Sequence, residues 1–294
     1  MAGSPAHQWG QIIGQVLEAA VLPVLETFAK EHRLYLDKAG DRPCRKGLIC
    51  TWTDINGNSH DLDFVLERGG SPERVGTPVA FIETAWRRYT KHSRNKAQEV
   101  QGAILPLAET YRHAAPFKGA ILAGLFTEGA LSQMRSLGFT ILFFPYETVV
   151  EAFARFDIDA SSEEDTPDSL FRRKIKQYSF LSAQQRTTLA AELMRLNRSG
   201  VKQFVHALTA AISRRIEAIH VLPLHGQAER LSNPDEAIAF IRGYCDSADQ
   251  ERPIQRYEIR IVYNNGDAID GRFVEKQEAI DFLAGFVPGK KPSQ

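Results

Sequence analysis

Apolar side chains recur at helical spacing from Gln8 to His32, with Ile13, Val16, Leu17, Ala20, Val21 and Phe28 on one stripe. A stripe of that period predicts a helix packed on a sheet, and Pro23 predicts a kink or a division within it. Glu18 and Glu26 flank the stripe and read as solvated residues. The period then shortens. After a polar turn from Asp37 to Lys46, Gly47–Thr53 and His60–Glu67 read as two strands around Asn56-Gly57, a strong hairpin signal. Along the second strand Leu62, Phe64 and Leu66 alternate with Asp61, Asp63 and Val65, so the two aspartates share a face. A loop rich in Gly, Ser and Pro leads into Val79-Ala80-Phe81-Ile82-Glu83, an apolar run ending on an acid. The three strands are expected to form an antiparallel meander or a close relative of one.

Beyond Tyr89 the pattern alternates between periods. A helix is expected over Arg94–Tyr111 with Ser93 as its N-cap and Pro106 loosening its second half. Lys118–Phe126 and Thr140–Phe144 read as buried strands, with helices over Thr127–Leu137 and Pro145–Phe156. Near-continuous apolar strands joined by helices indicate a mixed α/β sheet covered on both faces. The acidic stretch Asp157–Asp168 reads as a domain boundary. Past it come three helices, Ser169–Tyr178, Ala183–Asn197 and Val201–Ile216, with a capping box at Ser182 and Gln185 and a break at Gly200. The last part holds two similar passages, Ile219–Ile241 and Ile259–Leu283, each a strand or hairpin followed by a helix containing Glu-Ala-Ile. They are expected to form one small α/β domain. The reading divides the chain into a core (1–158), a helical segment (159–216) and this domain (217–294), with a disordered tail from Pro288.

Composition narrows the picture only modestly. The 294 residues carry equal numbers of basic and acidic side chains, so any nucleic-acid face must be a local patch. Cys44, Cys50 and Cys245 form no paired framework and read as reduced thiols, not zinc ligands. The N-terminus lacks the regions of a signal peptide, and no apolar run reaches the roughly 18–20 residues of a membrane span. A cytoplasmic protein is expected.

The chemistry centres on Glu83. An acid at the end of a buried strand is costly unless a cation binds it. If the strands are neighbours, Asp63 and Glu83 project toward one Mg²⁺, and the Thr84 carbonyl can complete the set, because Mg²⁺ takes oxygen ligands and needs only one or two carboxylates. Asp61 competes with Asp63, which is favoured because Phe64-Val65-Leu66 follows it. His60 and His92 lack a supporting acid at fixed spacing and read as turn or surface residues. Arg87, Arg88, Lys91 and Arg94, and beyond the boundary Arg172, Arg173 and Lys174, are candidate DNA phosphate contacts, which give affinity without sequence choice. Arg195, Arg198, Lys202, Arg214 and Arg215 extend the basic supply. The Asn197–Gly200 break looks like a helix-turn-helix, but Phe204, Leu208 and Ile212 make the third helix a core helix.

The leading helix, the hairpin at Asn56-Gly57, Asp63, the motif Ile82-Glu83-Thr84-Ala85 and the helix bearing Lys and Gln after it resemble the PD-(D/E)XK nuclease superfamily over residues 8–158. The resemblance implies a restriction-endonuclease-like mixed sheet, Mg²⁺ and hydrolysis of the backbone of double-stranded DNA. Asp63 and Glu83 match the family's metal acids. The departure is Ala85, where the family pattern has Lys. The function of that lysine is expected to have migrated to Lys96, with Lys91 and Arg87 in reserve; Gln98 and Gln101 lie on the same helix. A type II restriction endonuclease is the leading reading, for which a palindromic target would suit a homodimer. The alternatives are a repair or recombination nuclease of the same superfamily, and a DNA-binding subunit that kept the fold and lost activity.

Overall fold

The computed structural model describes residues 4–89, 93–224, 226–244, 255–264 and 266–287. Cys245, Lys91, His92 and the tail from Pro288 lie outside them. The chain forms two compact units, residues 1–212 and 213–294.

The first unit is built on a five-stranded mixed sheet of order β1-β4-β5-β6-β7, where β1 is Leu34–Lys38, β4 Phe64–Arg68, β5 Thr77–Arg87, β6 Phe117–Gly124 and β7 Phe139–Pro145. Strand β4 runs antiparallel to β1 and β5, while β5, β6 and β7 are parallel. The parallel strands are joined by α2 (Ser93–Thr110) and α3 (Glu128–Ser136). Alternation along β5 sorts its side chains between two cores. Ile82 and Trp86 face α1 (Pro5–Glu31), whereas Phe81 and Ala85 face α2. The chain is thus a mixed α/β fold with helices on both sheet faces.

Helix α1 is continuous across Pro23, with Ser4 as its N-cap. It is long and apolar enough to cross a membrane, a segment the sequence pattern does not flag. Here Trp9, Ile13, Leu17, Val21 and Leu25 are buried in the core shared by the sheet, α5 (Asp168–Ser179) and α6 (Ala183–Leu196).

Several expectations need correction. Strand β1 fills the gap between the expected helix, which ends at His32, and the expected turn, and takes in the turn's first two residues. The hairpin strands β2 (Cys50–Thr53) and β3 (Ser59–Leu62) do not join the main sheet but pair as a sheet of their own. Its turn is organised by the Asp54 carboxylate, which accepts from the N–H groups of Asn56 and Asn58 and meets His60 Nε2 at 2.9 Å. The His60 contact, then these N–H groups, hold Asp54 down at about 2. The stretch 157–168 is no domain boundary. Ile158 and Ala160 are buried, and α5, α6 and α7 (Arg198–Ile212) share the core of α1 and α4 (Tyr146–Ala154). The expected segment 159–216 therefore divides at Ile212, and Ile216 opens a strand of the second unit. Helices α6 and α7 part at Asn197, whose side-chain amide donates to the Phe143 carbonyl, and Gly200 lies inside α7. The capping box at Ser182 and Gln185 is present.

In the second unit the repeat is a ββα motif made twice. Strands β8 (Ile216–Pro223) and β9 (Glu229–Leu231) precede α8 (Pro234–Gly243), and β10 (Tyr257–Tyr263) and β11 (Ala268–Phe273) precede α9 (Lys276–Ala284). The sheet order β11-β10-β8-β9 puts the two first strands side by side and antiparallel, with Ile219 opposite Ile261. Val221, Ile241, Ile259 and Leu283 fill the core beneath α8 and α9.

Candidate functional site

The register of β4 on β5 begins at Phe64 opposite Ile82. One step further, Asp63 would face Glu83, but there the chain turns away into β3. Side chains replace the missing ladder. The Thr84 N–H and hydroxyl both donate to Asp63 Oδ2 at 2.7 Å, and the Asp63 N–H donates to Glu83 Oε1 at 3.1 Å. Because N–H and C=O of one strand residue point to the same edge, the Thr84 carbonyl faces the edge that β4 vacates. That open edge of β5, flanked by α1 and α2, is a cleft of about 710 Å³.

Glu83, Asp63, Thr84 and Lys96 all line this cleft, and so does Ala85. Asp61 turns away and accepts from the Thr51 hydroxyl on the hairpin. Glu83 is only 9% exposed. Burial pushes its carboxyl up to about 8, the Asp63 and Glu18 charges add to the rise, and Lys96 and the Asp63 N–H oppose it. Lys96 stands in the first turn of α2 with Nζ 3.1 Å from Glu99, and Glu99 also meets Arg87 at 3.7 Å. One acid thus holds two of the cleft's cations.

Glu18, read from the sequence as a solvated flank residue, belongs to this site. Its side chain is solvent-exposed, as expected, yet it also lines the cleft, and partial burial followed by the Asp63 charge pushes its carboxyl up to about 7. It stands at the end of a stripe along α1, His7, Gly10, Gly14 and Glu18, that faces the cleft. Spacings of three or four with two glycines ahead of the acid are the signal that could have found it, since small residues leave room beside an element.

The remaining candidates separate. Arg87 and Arg88 line the cleft, whereas Arg94 is exposed on α2 outside its lining. Arg172 and Arg173 are exposed on α5. Lys174 is buried, 5% exposed, and donates to the Ser161 carbonyl, so it is a structural residue and not a surface phosphate contact. Gln98 is exposed; Gln101 is buried outside the cleft lining with its Nε2 unpartnered among the described residues. Lys91, His92 and the Ser93 side chain lie outside the described residues.

The donors fit a hard divalent cation. Among the described residues no three His, Cys, Asp or Glu side chains converge on one point. Mg²⁺ needs only one or two carboxylates, with water, phosphate and carbonyl oxygens completing its shell. Asp63, Glu83 and the Thr84 carbonyl would hold it, and its charge would relieve the burden that raises Glu83.

No family model and no curated protein matches the chain. Among solved structures, the crystal structure of a protein of unknown function, AF1548, aligns with 64% of this chain and 97% of its own at 12% identity, with a TM-score of 0.29.

Proposed function

We propose that the chain is a Mg²⁺-dependent deoxyribonuclease that hydrolyses phosphodiester bonds of double-stranded DNA. The observation that carries this reading is the meeting of Asp63, Glu83, the Thr84 carbonyl and Lys96 at one open strand edge, with the Glu83 carboxyl raised to about 8. Asp63 and Glu83 would hold the cation, which when bound would supply charge neutralisation at the scissile phosphate and an acidified water. Thr84 fixes the Asp63 carboxylate through two hydrogen bonds, so that its other oxygen stays available. Lys96 brings positive charge to the reacting phosphate from α2, replacing the cation that Ala85 cannot provide. A type II restriction endonuclease, cytoplasmic and acting as a homodimer on a palindromic site, is the leading biological role.

A second reading has its own support. Ala85 stands at the strand position of the usual lysine, and Lys96 is ion-paired to Glu99; both suit a DNA-binding subunit without activity. Digestion of unmethylated plasmid and phage DNA with Mg²⁺ separates the two. Discrete fragments from the wild type, slowed roughly a hundredfold or more by Lys96→Ala, support the nuclease with a migrated lysine. Salt-sensitive DNA binding by a wild type that never cleaves supports the inactive subunit.

A further inference from the structure

Beyond the acids, the cleft has a second end. Arg88 lines it, five residues past Glu83 and therefore roughly 16 Å along an extended chain. Its guanidinium carbon lies 4.3 Å from the ring centre of Tyr89 and 4.7 Å from that of Phe171. Stacking on two rings fixes the plane of the group while leaving its edge donors to others. Among the described residues one of them is not used. The nearby carboxylate Glu99 pairs with Arg87 and Lys96 instead of Arg88, and the Arg88 Nη1 is buried without a hydrogen-bond partner among the described residues. The neighbouring Arg87 Nε is buried and unpartnered in the same way. The contrast with Arg42 is instructive, since that buried arginine is saturated by Glu67, Asp37 and the Ser71 and Arg74 carbonyls.

The surroundings of Arg88 favour a negative guest. Ser4, His7 and Trp9 bring the start of α1 to the cleft, and the first turn of this helix carries no acid. A helix start so arranged adds a partial positive charge. Trp9 is 1% exposed, and its Nε1 has no partner among the described residues. The buried ammonium of Lys174 also acts on Arg88 as a like charge. The opposing charges are Glu99, engaged with Arg87 and Lys96, and Glu164 and Asp165, which act on Tyr89 without forming an ion pair with Arg88. Buried N–H donors of a clamped arginine call for an acceptor of high charge density.

We infer that Arg88, the Arg87 Nε and the start of α1 form a phosphate subsite that holds a terminal phosphomonoester of the nucleic-acid strand whose backbone lies at Asp63 and Glu83. Its role in catalysis rests on the nuclease reading; the anion site itself does not. A monoester is preferred to an internal diester because it carries nearly twice the charge and three free oxygens, matching several donors whose nearest acid, Glu99, is already engaged by Arg87 and Lys96. The substrate is then a strand end and the cleavage lies within a few nucleotides of it.

The test uses the full chain without metal. Inorganic phosphate is titrated while the fluorescence of Trp9 and Trp86, both on the cleft, is followed. Saturable binding is expected, weakened roughly tenfold or more in Arg88→Gln and unchanged in Arg135→Gln, an exposed arginine of α3 outside the cleft, with Arg88→Lys recovering only part because it lacks the planar fork. Thermal melts of both Arg88 variants exclude loss of fold. No saturable binding, or equal binding by Arg88→Gln, overturns the site. Oligonucleotides with a phosphate at one end are then expected to bind roughly tenfold more tightly than their hydroxyl-ended counterparts; equal binding overturns the terminal assignment. Cleavage without phosphate binding overturns the subsite and leaves the nuclease standing. Phosphate binding without cleavage of any DNA keeps the subsite as an anion site and overturns the nuclease reading.

Discussion

Glu83 is held where its charge is least welcome. Its carboxyl stands at about 8 in the folded chain against 4.5 when free, through burial first and the Asp63 charge second. Since the folded value is the higher, the stability linked to this group is complete below about pH 4.5 and is lost as pH rises through about 8. Metal-free Glu83→Gln is therefore expected to be more stable than wild type by a few kcal/mol at about pH 9 and to lose that advantage near pH 5, as read by urea melts. If Mg²⁺ does not stabilise the wild type more at high pH than at low pH, the carboxylate is not a ligand. Asp63 and Glu83 could be picked out from the sequence because each interrupts or closes an apolar run, where an acid has no ordinary business. Glu18 carries only the weaker signal of the glycines ahead of it, because an acid beside a helical stripe is the commonest thing in a helix. What distinguishes it is the cleft, which exists only once α1 lies along the vacated edge of β5.

At the scale of elements, the cleft depends on α1 presenting small residues. A Cβ placed on Gly14 would meet nothing within 4 Å. Gly14→Ala is accordingly expected to stabilise the fold by up to about 1 kcal/mol, whereas Gly14→Trp should fill the cleft and abolish DNA binding while the melting temperature holds. Elsewhere in the sheet, Arg42, Asp37 and Glu67 form a buried knot that ties β1 and β4 to the 69–76 loop. Removing the guanidinium leaves two buried acids without a partner, and Arg42→Ala is expected to cost about 3–5 kcal/mol in denaturant titrations. The same knot explains why β1 was not legible. Leu34-Tyr35-Leu36-Asp37-Lys38 reads as the approach to a polar turn because its most buried residue is an aspartate. The parallel strands β6 and β7 offered no such difficulty, since both of their faces are covered and their sequences are almost wholly apolar.

The whole molecule contains separate hydrophobic cores in its two units. Two unfolding transitions are expected in calorimetry. Leu283→Ala should lower one by about 2–5 kcal/mol and Ile104→Ala the other, because each side chain is fully buried in its own unit. The acidic stretch at 157–168 misled the domain reading, because polarity marks a surface run and does not reveal that Ile158 and Ala160 dip into the core. The repeat in the second unit was legible because Glu-Ala-Ile recurs at matching places on α8 and α9. With zero net charge, the DNA binding proposed for this chain would have to come from local patches, the cleft and the exposed arginines Arg94 of α2 and Arg172 and Arg173 of α5.

The measurement that bears most directly on the proposed chemistry is the rate at which supercoiled plasmid and phosphate-ended linear DNA are cut with Mg²⁺ by wild type, Asp63→Asn and Glu83→Ala. Cutting by the wild type that disappears with chelator and falls roughly a hundredfold or more in both variants is the predicted result. Cutting that survives loss of either acid, or a wild type that cuts neither substrate, would contradict it.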